Sequence, residues 1–278
     1  MQLPTLCAEA SEYVREPLAG TAAFATTWLF VEERGAWAPE PIDSPGLRAD
    51  RELLEGWLAT LPNARLQLIR RGRRSGPRQV YIAEPARRRV RGFEVSALAD
   101  VDLCGGTEVS EPLFFVCTHG KRDRCCSLRG NALFSTLEAV AGPCVWRTSH
   151  LGGHRFAATM LSLPHGYCLG RVEPEEAAAV VREGIHDLAK LRGRVSYRQP
   201  VQAGEIALRQ HLGLRTLDGV EVLRYRHKDR QWTVHFAAAG KRWQVRVVPE
   251  ITGTLRPKSC GGEVQAVEVF PCVVEELC

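Results

Sequence analysis

The chain lacks any apolar run of the ~18 residues that a membrane-spanning helix requires. Its first residues, MQLPTLCAEASEYVREPLAG, also lack the basic segment and the long apolar segment of a secretory signal. We therefore expect a cytoplasmic protein that does not enter a membrane. With 278 residues, the chain is long enough for two domains, or for one domain with an extension.

Lysine is scarce: the chain has 5 lysines against 32 arginines, with a formal net charge of +5. This bias indicates a GC-rich genome as readily as an anionic partner. The two arginine-rich runs, RRGRRSGPR (70–78) and ARRRVR (86–91), are predicted to be solvated loops. Because they lack interleaved aromatic residues and no groove-reading motif accompanies them, we predict no nucleic-acid binding. No flavin or nicotinamide fingerprint is present either.

Thiols and imidazoles are absent from most of the N-terminal half. No cysteine lies between Cys7 and Cys104, and the first histidine is His119. This half therefore cannot form a nitrogen–sulfur metal site alone, and we predict a structural or docking role for it. Ten cysteines in a reducing compartment do not indicate a disulfide framework. Buried thiols usually pack as small apolar groups, and we expect this of Cys7, Cys104, Cys144, Cys168, Cys260, Cys272 and Cys278.

Residues 113 to 193 show the order β-α-β-β-β-α. LFFVC is a buried strand, NALFSTLEAVAG (131–142) has a helical apolar stripe, and CVWRTS, RFAATMLSLP and YCLGRV are strand-like. EPEEAAAVVREGIHDLAKLRG is predicted to be the final helix, with Pro174 in its first turn and Gly193 as its cap. The succession predicts a thioredoxin-like sandwich, in which helices pack on a central sheet.

The flanking segments complete an α/β (α+β) prediction. The N-terminal half weakly repeats the same order, which suggests an ancient duplication, and the last eighty or so residues alternate polar and apolar residues after a helix around GEIALRQHLG. We predict an N-terminal α/β domain (1–110), a thioredoxin-like domain (111–198) and a small antiparallel β extension (199–278).

Two segments carry residues suited to metal chemistry. LFFVCTHGKRDRCCSLRG (113–130) holds three thiols and one imidazole within ten residues. TSHLGGHRF follows, with His150 and His154 separated by a Gly-Gly pair that could take positive φ and turn both imidazoles the same way. Two sulfurs with two nitrogens would suit zinc or an iron–sulfur cluster.

Spacing alone leaves several kinds of site open. Structural zinc usually takes cysteines two to four residues apart, a shorter span than that from Cys117 to Cys125 or Cys126. A thioredoxin-type redox site needs a C-x-x-C motif, which the chain lacks. A cysteine nucleophile with a histidine base would leave the second thiol and the second imidazole unexplained. Iron–sulfur binding, zinc binding, thiol chemistry and the absence of a site all remain alternatives.

FFVCTHGKRDRCC followed by SHLGGHRFAATMLSLPHGYCLGRV resembles the sucrase/ferredoxin-like family, over roughly residues 113 to 172 and more loosely at EPLAGTA (16–22) and KSCGG. The resemblance implies a thioredoxin-like ferredoxin domain whose 2Fe–2S cluster is held by Cys117, Cys126, His150 and His154. We prefer Cys126 to Cys125 because the C-x8-C spacing then matches, and because neighbours in an extended loop point to opposite sides. The "sucrase" in the family name implies no sugar chemistry that this sequence supports.

Such a ligand set implies one-electron transfer. Two neutral imidazoles in place of thiolates raise the potential, to about −150 to +300 mV in Rieske-type centres against roughly −400 mV in plant-type ferredoxins. The expected role is an electron carrier or a cluster-dependent reductase, with an unidentified redox protein as donor or acceptor. The alternatives are a redox- or iron-sensing module and a zinc-stabilised structural protein. One role for His119, Lys121, Arg122 and Asp123 is to place positive charge near the cluster; the alternative is that Arg122 and Asp123 brace its loop.

Overall fold

The computed structural model describes residues 3–72, 76–185 and 187–277. Residues 73–75 of the first arginine-rich run, residue 186 and Cys278 therefore lie outside the described residues. The helices are α1 (Cys7–Tyr13), α2 (Arg51–Thr60), α3 (Arg124–Ala141), α4 (Ala177–Glu183) and α5 (Gln199–Leu212). Short 3-10 helices cover Pro41–Asp43, Pro45–Asp50, Pro85–Arg87, Leu98–Asp100, Gly142–Cys144, His154–Phe156, Pro174–Glu176 and Leu188–Lys190. Among the described helices, none is both long and apolar enough to cross a membrane.

One large sheet runs through both halves of the chain. Its strands are β1 (Thr27–Glu32), β2 (Ala64–Arg70), β3 (Arg78–Glu84), β4 (Arg89–Val95), β5 (Thr107–Glu108), β6 (Leu113–Cys117), β7 (Val145–Thr148), β8 (Met160–Leu163), β9 (Tyr167–Leu169) and β10 (Leu191–Arg194). Their spatial order is β10-β9-β8-β6-β7-β2-β1-β3-β4-β5. The two halves join where β2 pairs antiparallel with β7. The predicted mixed α/β fold is confirmed.

The two halves repeat one strand arrangement. In the N-terminal half, β1 pairs parallel with β2 and antiparallel with β3, and β4 follows β3. In the second half, β6 pairs parallel with β7 and antiparallel with β8, and β9 follows β8. The weak repeat seen in the sequence is therefore a repeat of topology. The domain boundaries at 110 and 198 stay predictions.

The sheet curls so that its concave face encloses an aromatic core. Phe30 of β1 stacks on Phe115 of β6 with ring centroids 3.9 Å apart, although two strands separate β1 and β6 in the sheet. Alternate residues of β6 face opposite ways: Phe115 and Cys117 belong to the concave core, while Phe114 and Val116 pack with α3. Cys117 therefore lies where the concave core meets the end of β6.

The C-terminal part is the predicted antiparallel extension. Four strands pair in the order β11 (Val220–Lys228), β12 (Gln231–Ala238), β13 (Lys241–Val247) and β16 (Cys272–Leu277). β14 (Glu250–Pro257) and β15 (Val264–Val269) form a separate hairpin, and α1 contacts β14. α5 packs its apolar side on the four-stranded sheet.

Three predicted elements differ in the structure. α3 begins at Arg124 rather than at 131, because the Asp123 carboxylate accepts a hydrogen bond from the Cys125 amide and caps the helix. The predicted final helix stops at Gly184, whose φ is +73° and whose added Cβ would meet the Leu217 side chain. Part of the ARRRVR run forms β4, with Arg91 buried and donating to two backbone carbonyls.

Candidate metal centre

Cys117 and Cys126 come together because α3 packs closely on the end of β6. Cys117 is the last residue of β6, and its amide donates to the Thr159 carbonyl at 3.0 Å. Cys126 lies in the first turn of α3, and both thiols are 1% exposed. At Gly130 an added Cβ would lie 3.0 Å from the carbonyl carbon of Cys117 and still nearer its oxygen. Only glycine permits this approach, which brings the first turn of α3 to the strand end.

His150 completes a group of three donors. It lies in the loop between β7 and β8, and its Nδ1 is 3.9 Å from the Cys117 sulfur and 3.6 Å from the Cys126 sulfur. One ligand atom from each of Cys117, Cys126 and His150 lies within 4.8 Å of the others, so the three could hold a metal ion. His150 is half-buried and the thiols are buried, so the imidazole is the most solvent-accessible member.

His154 lies beside this group without belonging to it. Its ring stacks on that of His150, with centroids 5.0 Å apart. Its Nε2 lies 2.7 Å from the Lys258 carbonyl and donates to it, while Nδ1 is buried without a hydrogen-bond partner among the described residues. The tautomer with its proton on Nε2 leaves the Nδ1 lone pair available to a metal. Gly152 and Gly153 have φ of +92° and +69°, the positive values that the sequence suggested.

Two arginines, half-buried Arg65 and buried Arg192, hold the histidine loop. Arg65 of β2 donates to the His150 carbonyl at 3.1 Å, and Arg192 of β10, 1% exposed, donates to the Gly152 carbonyl at 2.8 Å. The Ser149 hydroxyl also donates to Gln67 at 2.8 Å. The N-terminal half thus positions the loop although it supplies no predicted ligand. Neither arginine stands out in the sequence, because its role depends on contacts between distant segments.

Burial and mutual contact shift the pKa values of the site. A hydrogen bond from the Cys126 thiol lowers the pKa of Cys117 well below its usual range, and the same bond, with burial, raises the pKa of Cys126. The pair therefore favours one thiolate and one thiol when no cation is present. Burial lowers the pKa of His154, which favours the neutral imidazole that metals bind.

The remaining loop residues have separate roles. Asp123 caps α3 and so braces the loop, which is one of its two predicted roles. Lys121 and Arg122 are exposed, and Arg122 pairs with Glu40. His119 is 2% exposed, lies edge-on to Trp37 at 5.7 Å, and has no hydrogen-bond partner for either ring nitrogen among the described residues.

Cys125 belongs to a different group from its neighbour. Cys125 and Cys126 lie in the first turn of a helix, so the expectation of an extended loop was wrong, yet the two thiols do face different surroundings. Cys125 lies with Cys7, Asp123 and Cys260 in a second group of potential ligands. A hydrogen bond from the Cys7 thiol lowers the pKa of Cys125 to about 6. Sequence reasoning treated Cys7 and Cys260 as packing residues and missed this group.

The first group has the chemistry expected of a soft-metal site. Thiolate sulfur and imidazole nitrogen are the ligands of zinc and of some iron–sulfur clusters. Nδ1 of buried His154 has no hydrogen-bond partner within the part of the chain that the structure describes, and a buried nitrogen in this state costs free energy. This nitrogen therefore fits a fourth ligand. The donor set of Cys117, Cys126, His150 and His154 is therefore compatible with a 2Fe–2S cluster.

Comparison with known proteins gives one match. A family model described as sucrase/ferredoxin-like matches residues 18–198, a range that takes in both repeats of the large sheet. No curated protein and no solved structure matches the chain. Because the matched range is well over half of the 278 residues and includes both motif segments, the chain belongs to the sucrase/ferredoxin-like family.

Proposed function

We propose that the chain is an iron–sulfur protein that transfers single electrons, with a 2Fe–2S cluster bound by Cys117, Cys126, His150 and His154. The observation that carries the proposal is the convergence of two buried sulfurs with the Nδ1 atom of His150. The fourth ligand is the stacked His154, whose buried Nδ1 has no hydrogen-bond partner in the described ranges 3–72, 76–185 and 187–277.

The cluster, when bound, would supply a reversible one-electron couple. The protein's own residues would set its surroundings. The two thiols and His154 are buried and exclude water, while half-buried His150 is the most solvent-accessible of the four residues. The Lys258 carbonyl accepts a hydrogen bond from Nε2 of His154 and so orients the ring.

The partner would be a redox protein that donates or accepts an electron. Lys121 and Arg124 are exposed on the segment next to Cys126 and place positive charge there, and exposed Arg122 pairs with Glu40. Such a face would suit an acidic partner and would make association faster at low ionic strength.

The decisive experiment compares adjacent cysteines in protein purified without oxygen. Wild type should be coloured and contain about two irons and two sulfides per chain. Cys126→Ser should reduce iron to background, whereas Cys125→Ser should lower it only in part. Cys104→Ser, which changes an exposed thiol outside both groups, is the control and should keep the iron. Equal loss in the Cys125 and Cys126 variants would refute the ligand assignment. A colourless protein with zinc at Cys117 would refute the cluster.

Electrochemistry tests the role. The midpoint potential should lie within about −150 to +300 mV and change with pH, because each neutral imidazole ligand keeps a proton on its second nitrogen. A pH-independent value near −400 mV would contradict histidine ligation.

A further inference from the structure

We propose that the chain holds a second metal site, a structural zinc ion bound by Cys7, Cys125, Cys260 and Asp123. The site shares the first turn of α3 with the candidate cluster but uses different side chains. It does not rest on the proposed electron-transfer function. Two of its ligands, Cys7 and Cys260, lie outside the range that the family model matches.

The three sulfurs form a nearly regular triangle. Cys7 and Cys125 are 3.6 Å apart, Cys125 and Cys260 are 3.4 Å apart, and Cys260 and Cys7 are 3.6 Å apart. In tetrahedral zinc sites the Zn–S bond is about 2.3 Å, which places sulfurs about 3.8 Å from one another. The triangle is thus close in size to one face of such a tetrahedron. Iron–sulfur clusters distribute their cysteines over several irons, so three sulfurs in mutual contact fit a single ion.

Asp123 supplies the fourth corner. Its Oδ1 lies 3.5 Å from the Cys7 sulfur and 3.3 Å from the Cys260 sulfur. With Zn–O at about 2.0–2.2 Å, a tetrahedral site predicts sulfur–oxygen distances of about 3.5 Å. The carboxylate is held in place because Oδ1 accepts from the Cys125 amide at 2.8 Å and Oδ2 accepts from the Cys260 amide at 2.9 Å. Oδ1 keeps a lone pair for a metal.

The surroundings suit a closed structural site. Cys7 and Cys125 are fully buried, Asp123 is 5% exposed and Cys260 is half-buried. Two ligands lie at the N-terminus of the 18-residue α3, where the helix dipole favours negative charge. Three thiolates with a carboxylate select zinc among the common divalent ions, because calcium and magnesium prefer oxygen ligands and zinc accepts both types.

A zinc ion here would join three distant segments. Cys7 begins α1, Cys125 lies in the first turn of α3, and Cys260 lies in the loop between β14 and β15. Cys7 and Cys260 are 253 residues apart in the sequence. The ion would therefore hold the C-terminal hairpin against α1 and α3. Because zinc binds the folded site rather than the unfolded chain, its binding free energy would stabilise the fold.

The same loop reaches the first site. Lys258, whose carbonyl accepts a hydrogen bond from Nε2 of His154, precedes Cys260 by two residues. Zinc at the thiol group would hold that carbonyl in place and so orient His154, as outer hydrogen bonds commonly do for metal-binding histidines. The second site would thereby support the first without touching it.

Metal analysis of the full-length protein, produced in zinc-supplemented medium and purified without chelators, tests the site. Wild type should hold about one zinc per chain. The double variant Cys7→Ser/Cys260→Ser should lower bound zinc at least ~10-fold, and the matched double variant Cys104→Ser/Cys272→Ser should not, because these thiols belong to neither group. Zinc should also persist in Cys117→Ser, a variant that should lose iron instead. Zinc that stays in the Cys7/Cys260 variant, or that disappears with Cys117, would overturn the proposal.

X-ray absorption at the zinc edge of the wild type keeps the test independent of how the variants fold. Three sulfurs at about 2.3 Å and one oxygen at about 2.0–2.2 Å are expected. A first shell containing imidazole nitrogen, or a wild type that binds no zinc even when titrated with zinc chloride, would refute the assignment. Iron measured on the same samples reports the cluster separately, so the two proposals can fail independently.

Discussion

Replacing Gly130 with alanine tests how α3 positions Cys126 against Cys117. The new Cβ would lie 3.0 Å from the carbonyl carbon of Cys117, nearer still to its oxygen, and 3.5 Å from the Cα atom of Thr118. All three neighbours are backbone atoms at the end of β6, which is paired on both sides with β7 and β8. No flexible side chain can move aside, so α3 has to move away by about 1 Å.

The expected cost combines two opposing effects. Forcing an extra carbon into a packed interior costs typically about 1–3 kcal/mol, and a backbone clash of this kind belongs at the upper end. Alanine in place of glycine within a helix stabilises the fold by about 1 kcal/mol through its higher helix propensity. The net loss of folding free energy is therefore about 2 kcal/mol, which corresponds to a melting temperature about 4–8 °C lower.

Gly56→Ala is the matched control. Gly56 is exposed within α2, and its added Cβ meets nothing within 4 Å. That variant should be more stable than wild type by about 1 kcal/mol, from helix propensity alone. Thermal unfolding of wild type and both variants, followed by circular dichroism under one buffer condition, gives the comparison.

Metal content gives the second measurement. The shift of α3 should separate the Cys126 sulfur from Cys117 and reduce the iron content of Gly130→Ala, whereas Gly56→Ala should match wild type. A Gly130→Ala protein as stable as Gly56→Ala would refute the close approach of α3 to β6.

Three further predictions concern buried charges. Glu16→Gln should cost about 3–5 kcal/mol in urea unfolding, because Glu16 is 2% exposed and pairs with Arg256 and Arg155, which would lose their counter-charge. Burial alone would raise the pKa of Glu16, but the hydrogen bonds from Arg256 and Arg155 and the charge of Arg155 outweigh it and lower that pKa below 4.5. The stabilisation by Glu16 is thus complete above pH 4.5 and is lost as the pH falls through the lower pKa of the folded state. In urea titrations, the free energies of unfolding of wild type and Glu16→Gln should therefore become equal as the pH is lowered through that pKa. The same pH dependence in both proteins would contradict this. Arg192→Met should remove the hydrogen-bond donor of the Gly152 and Thr21 carbonyls, which should lower the free energy of unfolding by about 1–3 kcal/mol per carbonyl and also lower the iron content. The control is Arg198→Met, at an exposed arginine, which should change neither quantity. Unchanged iron in Arg192→Met would show that the histidine loop keeps its shape without Arg192.

Local patterns predicted most elements of the fold. The apolar run LFFVC is β6, and the alternating C-terminal segments are the antiparallel extension. The final helix was too long because Val181, Ile185 and Leu188 keep a helical spacing and all pack in one core, while the backbone between them turns at Gly184. Spacing records which residues are buried, and burial does not require a continuous helix.

The candidate site was predictable for a different reason. Cys117, Cys126, His150 and His154 stand out because the two short segments that contain them, 113–130 and 148–156, together hold three thiols and three imidazoles. The second group has no such signal, since its three thiols come from positions 7, 125 and 260. Isolated cysteines look alike in a sequence whether they pack or bind metal.

The sequence by itself determined the strand–helix succession, the repeat of that succession, and the two segments that carry sulfur and nitrogen donors. These are local properties, set by apolar periodicity, by turn-forming glycines and by residue type. Only the tertiary structure decided that the repeats join into one curled sheet, that Cys125 and Cys126 serve different groups, and that Arg65 and Arg192 hold the histidine loop. Each of these depends on contacts between residues far apart in the chain, and such contacts produce no periodic pattern of residues in the sequence.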